Sequence, residues 1–146
     1  MVIRQAESAD APQVAELLGE LGYPTNASET AERLARGTEA IFVAVDNQKT
    51  LAGLIAIWSQ LPLVRARPVA RITAMVVRSD SRRQGIGRSL VERATSWASS
   101  AGCEGIELTS GIGPEREDAH RFYEGLGFQR TSHRFWMPLN NQSAVR

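Results

Sequence analysis

Arg82-Arg83-Gln84-Gly85-Ile86-Gly87-Arg88 sets two glycines among three arginines, between the apolar run Ile72 to Val77 and a helix-patterned stretch from Ser89 to Ala101. A strand, a glycine loop and a helix start in that order form a cradle for anionic oxygens. Glycine lets backbone approach a ligand closely, and the unsatisfied N–H groups at the positive end of a helix dipole favour negative charge. The arginines add positive charge beside them. Two other phosphate loops fail on spacing. The dinucleotide fingerprint needs a third glycine where Leu90 stands, and the P-loop needs Gly-Lys-Ser/Thr where the chain reads Gly87-Arg88-Ser89, with Arg82 at the place of its first glycine.

Read as Arg82, Gly85 and Gly87, the loop resembles the Arg/Gln-x-x-Gly-x-Gly/Ala signature of the GNAT superfamily, the acetyl-coenzyme-A-dependent N-acetyltransferases. Downstream, Ala119-His120-Arg121-Phe122-Tyr123-Glu124-Gly125-Leu126-Gly127-Phe128 is similar to that family's closing Ala-x-x-Phe-Tyr-x-x-x-Gly-Phe element. Together they cover most of the second half, while the first half matches only in its order of elements. The resemblance implies an α/β fold: a mixed, largely antiparallel sheet splayed between strands four and five, with helices on both faces. It also implies acetyl-CoA as co-substrate and no metal. Arg82, Arg83, Gln84, Gly85, Ile86, Gly87, Arg88 and Ser89 would hold the cofactor, and its pantetheine arm would pair with the backbone of Met75, Val76 and Val77.

The reaction so implied is direct attack of a neutral amine on the thioester, giving a tetrahedral oxyanion that collapses to an amide and a thiolate. A backbone N–H near Met75 or Val76 is the expected oxyanion donor, and Tyr123 the expected acid for the departing sulfur. Tyr123 also suits a packing role beside Phe122. The base is open, because Arg71, Ile72, Thr73, Ala74 and Met75 offer no equivalent of the strand-four glutamate common in the family. Glu107, Glu39, His120 and His133 are candidates, as is water relayed to solvent. Arg116 stands where many relatives have an asparagine, three residues before Ala119, and Ser110 or Thr109 is a substitute polar contact.

The acceptor depends on the first two helices, the loop from Pro62 to Pro68 and the last strands, which carry no motif. A small molecule's primary amine is the first reading, with a protein N-terminus or lysine as the alternative. Glu29, Glu32 and Glu39 suit a cation as well as they suit a solvated helix face. A non-catalytic acyl-CoA-binding regulator would share the cradle. An arginine-rich nucleic-acid binder is disfavoured, since net charge is only +1 and the cluster from Arg65 to Arg93 lacks interleaved aromatics. Arg65, Arg67 and Arg93 read as solvated surface residues. No nucleic-acid or membrane partner is expected.

These features require a scaffold, and 146 residues at 42% hydrophobic content suffice for one domain over residues 1–146. The start Met1-Val2-Ile3-Arg4-Gln5 lacks a signal-peptide core, so a cytoplasmic protein is expected. Cys103, the single cysteine, excludes intrachain disulfides and reads as a small core residue. Strands are expected at Val2 to Gln5, Ile41 to Val45, Leu51 to Trp58, Val69 to Val77 and Gly105 to Thr109. Helices are expected after Ser8 or Asp10 up to Gly22, after Asn26 or Ser28 up to Gly37, from Ile86 to Ala101, and from Glu115 to Leu126. Ile86, Leu90, Val91, Ala94, Trp97, Ala98 and Ala101 form the third helix's apolar stripe. Phe128 to Leu139 should return as one or two strands, whose exposure would suit a homodimer, with a loose tail from about Asn140.

Overall fold

The computed structural model describes residues 1–140, so the expected tail lies almost wholly outside the described residues. The chain divides into two compact units, Met1–Leu108 and Thr109–Arg146.

The first unit is a five-stranded sheet in the order β1-β2-β3-β4-β5. Its strands are β1 (Val2–Gln5), β2 (Ala40–Val45), β3 (Leu51–Gln60), β4 (Val69–Val77) and β5 (Gly105–Glu107). The first four pair antiparallel and β4 pairs with β5 in parallel. Helix α1 (Ala11–Leu21) starts with Pro12 in its first turn and stops at Gly22, whose φ of 107° only glycine adopts readily. Helix α2 (Ala27–Ala35) is capped by Asn26, whose side chain accepts the Glu29 N–H at 2.8 Å.

The core has two sides. On one, Val14 and Leu17 of α1 meet Val43, Leu51, Leu54 and Val76 of the sheet. On the other, helix α3 (Ile86–Ser100) buries Ile86, Leu90, Val91, Ala94 and Ala98. Trp97 of the expected stripe is only half-buried, and Cys103 likewise sits at the margin of the core as a free thiol. Arg93 is exposed, as its surface reading expects, and its guanidinium also stacks 4.3 Å from the centroid of the buried Phe42 ring.

Two irregularities shape β4. Ala56 pairs with Ala74 and Ile57 with Ile72, so Thr73 is a bulge, one residue without a partner on β3. On its other side β4 pairs with β5 only at Val69, Ala70 and Arg71, opposite Gly105, Ile106 and Glu107. From Ile72 to Val77 it has no β5 neighbour. This is the splay, and it begins where Arg71 reaches the Glu107 carboxylate at 3.2 Å. Strand β5 is shorter than expected, ending at Glu107 rather than Thr109.

In the second unit a 3-10 turn, Pro114–Arg116, leads into α4 (Glu117–Gly125), so the α-helix begins two residues later than expected. Tyr123 packs edge-on against Phe122 and Phe128, at centroid distances of 5.3 and 5.8 Å. The expected return strands are not formed: Phe128 to Leu139 carries no strand. An apolar alternation becomes a strand only where a partner edge completes the ladder. Here Phe135 and Met137 stay 93% and 75% exposed, while Arg134 stacks on Trp136 within the same segment at 4.7 Å.

Candidate active site

The loop after β4 runs from the strand end through Gly85 into the start of α3. Arg78 ends the strand by donating its backbone N–H to the Ala52 carbonyl at 2.7 Å and its guanidinium to the Leu51 carbonyl. That arginine ties the end of β4 to the start of β3. Arg82 donates through Nε to the Val77 carbonyl at 3.3 Å, which folds the loop back onto the end of the strand. Arg83 then takes a φ of 64°, a left-handed conformation that a non-glycine residue adopts only under constraint. Gly85, at φ 79°, is the N-cap of α3, and the Gly85 carbonyl accepts the Ser89 N–H at 3.1 Å as the helix's first bond.

No side chain caps that first turn. The N–H groups of Ile86, Gly87 and Arg88 precede the first helical bond and point out of the helix end, where the dipole favours an anion. A Cβ placed on Gly85 meets nothing within 4 Å, so the space in front of this turn is open. Arg88 is held beside it by Glu92 at 3.3 Å along the helix surface. These groups fit the phosphates of a coenzyme A.

One glycine that sequence reasoning passed over sets the height of this helix. A Cβ on Gly53 of β3 would lie 2.9 Å from the Val76 carbonyl oxygen and 3.1 Å from a Leu90 methyl. Gly53 thus lets the first turns of α3 settle onto β3 and β4 beside Val77, its partner across the ladder. The available signal was an isolated glycine inside an apolar strand pattern.

Met75 and Val77 are half-buried, Val76 is buried, and all three lie on the stretch of β4 that β5 leaves unpaired. Main-chain groups of alternate residues there face the gap, available to an extended ligand.

Near the bulge, polar groups line up across the sheet. Trp58 pairs with Arg71, and Arg71 with Glu107. Glu39 precedes Ala40, the partner of Ile57, and so continues the register to a place opposite Trp58. Opposed residues share a face, and Trp58 alternates onto the face of Leu54, which α1 covers. The Glu39 carboxylate accepts a hydrogen bond from the bulged Thr73 hydroxyl. The Trp58 indole N–H is buried and has no hydrogen-bond partner among the described residues.

The other expected residues are placed as follows. Glu107 is tied to Arg71, and His120 Nε2 lies 2.9 Å from the Gly111 carbonyl. His133 is exposed. Arg116 is the N-cap of α4, with its Nε 3.4 Å from where a Cβ on Gly111 would be. Burial pushes the Tyr123 hydroxyl above the ordinary phenol range, partly opposed by the Arg116 charge. Arg65, read as solvated, reaches Glu104 at 3.6 Å. Among the described residues no cluster of metal-ligating side chains is formed, and no helix is long and apolar enough to cross a membrane.

Known proteins are similar to this chain in sequence and fold. The model of the acetyltransferase (GNAT) family matches residues 6–128. An uncharacterized N-acetyltransferase of Bacillus subtilis is 29% identical over 131 residues, covering 88% of each chain. An aminoglycoside N(6')-acetyltransferase of an Acinetobacter species is 30% identical over 104 residues, 68% of this chain and 70% of its own. An acetyltransferase of Trypanosoma brucei, solved as a crystal structure, superposes with a TM-score of 0.80 at 26% identity, over 94% of this chain and 99% of that one. The mixed sheet and these likenesses agree: the chain belongs to the GNAT family of acetyltransferases.

Proposed function

We propose that this acetyltransferase transfers the acetyl group of acetyl-CoA to the primary amine of a small molecule, both substrates being bound together. The observation that carries the reading is the uncapped first turn of α3, opening onto free space at Gly85 and held against the end of an unpaired strand stretch. Arg82, Arg83, Gln84, Gly85, Ile86, Gly87, Arg88 and Ser89 would hold the phosphates, through main-chain N–H groups and guanidinium charge. Met75, Val76 and Val77 would pair with the pantetheine arm through their backbone.

Acetyl-CoA supplies an acetyl group activated as a thioester. The chain then has to orient an amine, hold a developing negative charge and provide a proton. Backbone N–H groups at Met75 or Val76 would meet the charge. Tyr123 is our candidate acid, because its hydroxyl can both donate and accept a hydrogen bond. The small-amine reading draws on the aminoglycoside-acetylating relative.

Calorimetric titration with acetyl-CoA, with ATP and NAD as controls, tests the cradle, and CoA release with kanamycin, 2-aminoethylphosphonate or spermidine tests the transfer. Selective acetyl-CoA binding with release by at least one amine is expected. Folded protein that binds no acetyl-CoA would overturn the reading. Binding without release by any of the three would favour a non-catalytic acyl-CoA module or a protein substrate.

A further inference from the structure

We propose that Glu39, Trp58 and Thr73 form the pocket that takes the acceptor's ammonium group, with the Glu39 carboxylate as its counter-ion. This deepens the acetyltransferase reading and rests on it. The sequence leaves the base position of β4 empty of carboxylates, and the fold brings one there from another strand. Glu39 immediately precedes β2, yet its side chain reaches across β3 to the bulged hydroxyl of Thr73.

Three observations converge on that spot. The bulge lies in the stretch of β4 that β5 does not cover, so an acetyl group extended along the gap from the cradle arrives beside it. Glu39 is half-buried, and among the described residues it makes no ion pair. A carboxylate held that way attracts a cation more strongly than one in open water, where the interaction is screened. Opposite Glu39 in the register, the Trp58 indole N–H is buried and has no hydrogen-bond partner among the described residues. Such an orphan donor costs about 1–3 kcal/mol. An acceptor molecule carrying an oxygen near its amine would satisfy both groups at once, which describes an amino alcohol, an amino sugar or an aminophosphonate. A bare polyamine would satisfy Glu39 alone.

The bulge is what makes the pocket specific to this end of the strand. Thr73 has no partner on β3, and its hydroxyl, which donates to the Glu39 carboxylate, also lies 3.4 Å from the Ala56 carbonyl. Thr73 is therefore a positioning residue, and Glu39 the residue that touches substrate.

The test is a titration of nitrogen-labelled protein, saturated with CoA, with kanamycin, 2-aminoethylphosphonate and spermidine, following the Trp58 indole N–H signal. That signal is assigned by its loss in Trp58→Phe. At least one oxygen-bearing amine should move it, and Glu39→Gln should weaken that amine at least tenfold while acetyl-CoA affinity stays within twofold. Glutamine keeps an oxygen for the Thr73 hydroxyl and removes only the charge, so a purely structural role of Glu39 would leave amine binding unchanged. Glu39→Asp should bind the amine with intermediate affinity. If none of the three amines moves the Trp58 signal, or if Glu39→Gln binds the amine as tightly as the parent, the pocket is overturned. Neither result touches the cradle, whose failure would appear separately as lost acetyl-CoA binding.

Discussion

At Gly85 a single residue satisfies two demands: a left-handed φ of 79° to start the helix, and empty space in front of it. A Gly85→Val or Gly87→Glu change should therefore weaken acetyl-CoA binding at least a hundredfold in calorimetry while the protein stays folded by circular dichroism. Normal binding by Gly87→Glu would remove the cradle assignment. For Tyr123→Phe, turnover should fall by a factor of about 10²–10⁴, the usual scale for losing a general acid, with acetyl-CoA affinity preserved. Equal turnover would return Tyr123 to a packing role with Phe122 and Phe128. Away from the site, Asp10 is buried, receives Arg4 through both oxygens at 2.8 and 2.9 Å, and accepts the Glu7 N–H at 2.7 Å. The Arg4 hydrogen bond, aided by the Glu7 N–H and the Arg4 charge, holds its carboxyl below the ordinary aspartate range despite burial. A lowered folded pKa means stabilisation that is present above the unfolded value, about 3.9, and disappears as pH falls through the folded one. Asp10→Asn should cost about 1–3 kcal/mol in urea unfolding at pH 7. The difference from the parent protein should shrink below pH 4.

Among elements, the seating of α3 on the sheet decides whether the cradle faces the strand end. Gly53→Ala should push against the Val76 carbonyl and Leu90, costing about 1–3 kcal/mol of stability, as overpacking does. Its acetyl-CoA affinity should fall although residue 53 touches no ligand in our reading. Unchanged affinity would mean that the helix end tolerates displacement. The boundaries of β1 to β4 and α1 to α3 were legible because each is a periodic apolar run stopped by local chemistry: Gly22, Asn26, the Asp46 to Thr50 turn, Gly85 and Gly102. The strand end, glycine turn and helix start proposed as the cradle were legible for the same reason, being continuous in sequence. The end of β5 and the segment from Phe128 to Leu139 were not, since their state depends on a partner edge that local pattern cannot supply. The row from Glu39 to Glu107 was hidden more deeply. Its members come from β2, β3, β4 and β5, and only a register containing a bulge brings Thr73 under Glu39.

For the molecule as a whole, ligand binding and folding are linked through the same loop. A ligand that binds only the folded chain stabilises it by about 2.7 kcal/mol at a hundred times its dissociation constant. Acetyl-CoA should thus raise the melting temperature in a concentration-dependent way, and ATP and NAD should not; equal shifts from all three would point to general anion binding. The bulge in β4 has a consequence for how such a protein tolerates changes in chain length. Ala74 and Ile72 already face the consecutive residues Ala56 and Ile57, so removing Thr73 would leave every other pair of the β3–β4 ladder intact. An in-frame loss of one codon would yield a more regular sheet with the same core. It would also take away the hydroxyl that holds Glu39. The shorter chain should fold as well as its parent and fail as a catalyst, which makes Thr73 a residue retained for chemistry where the fold alone would let it go.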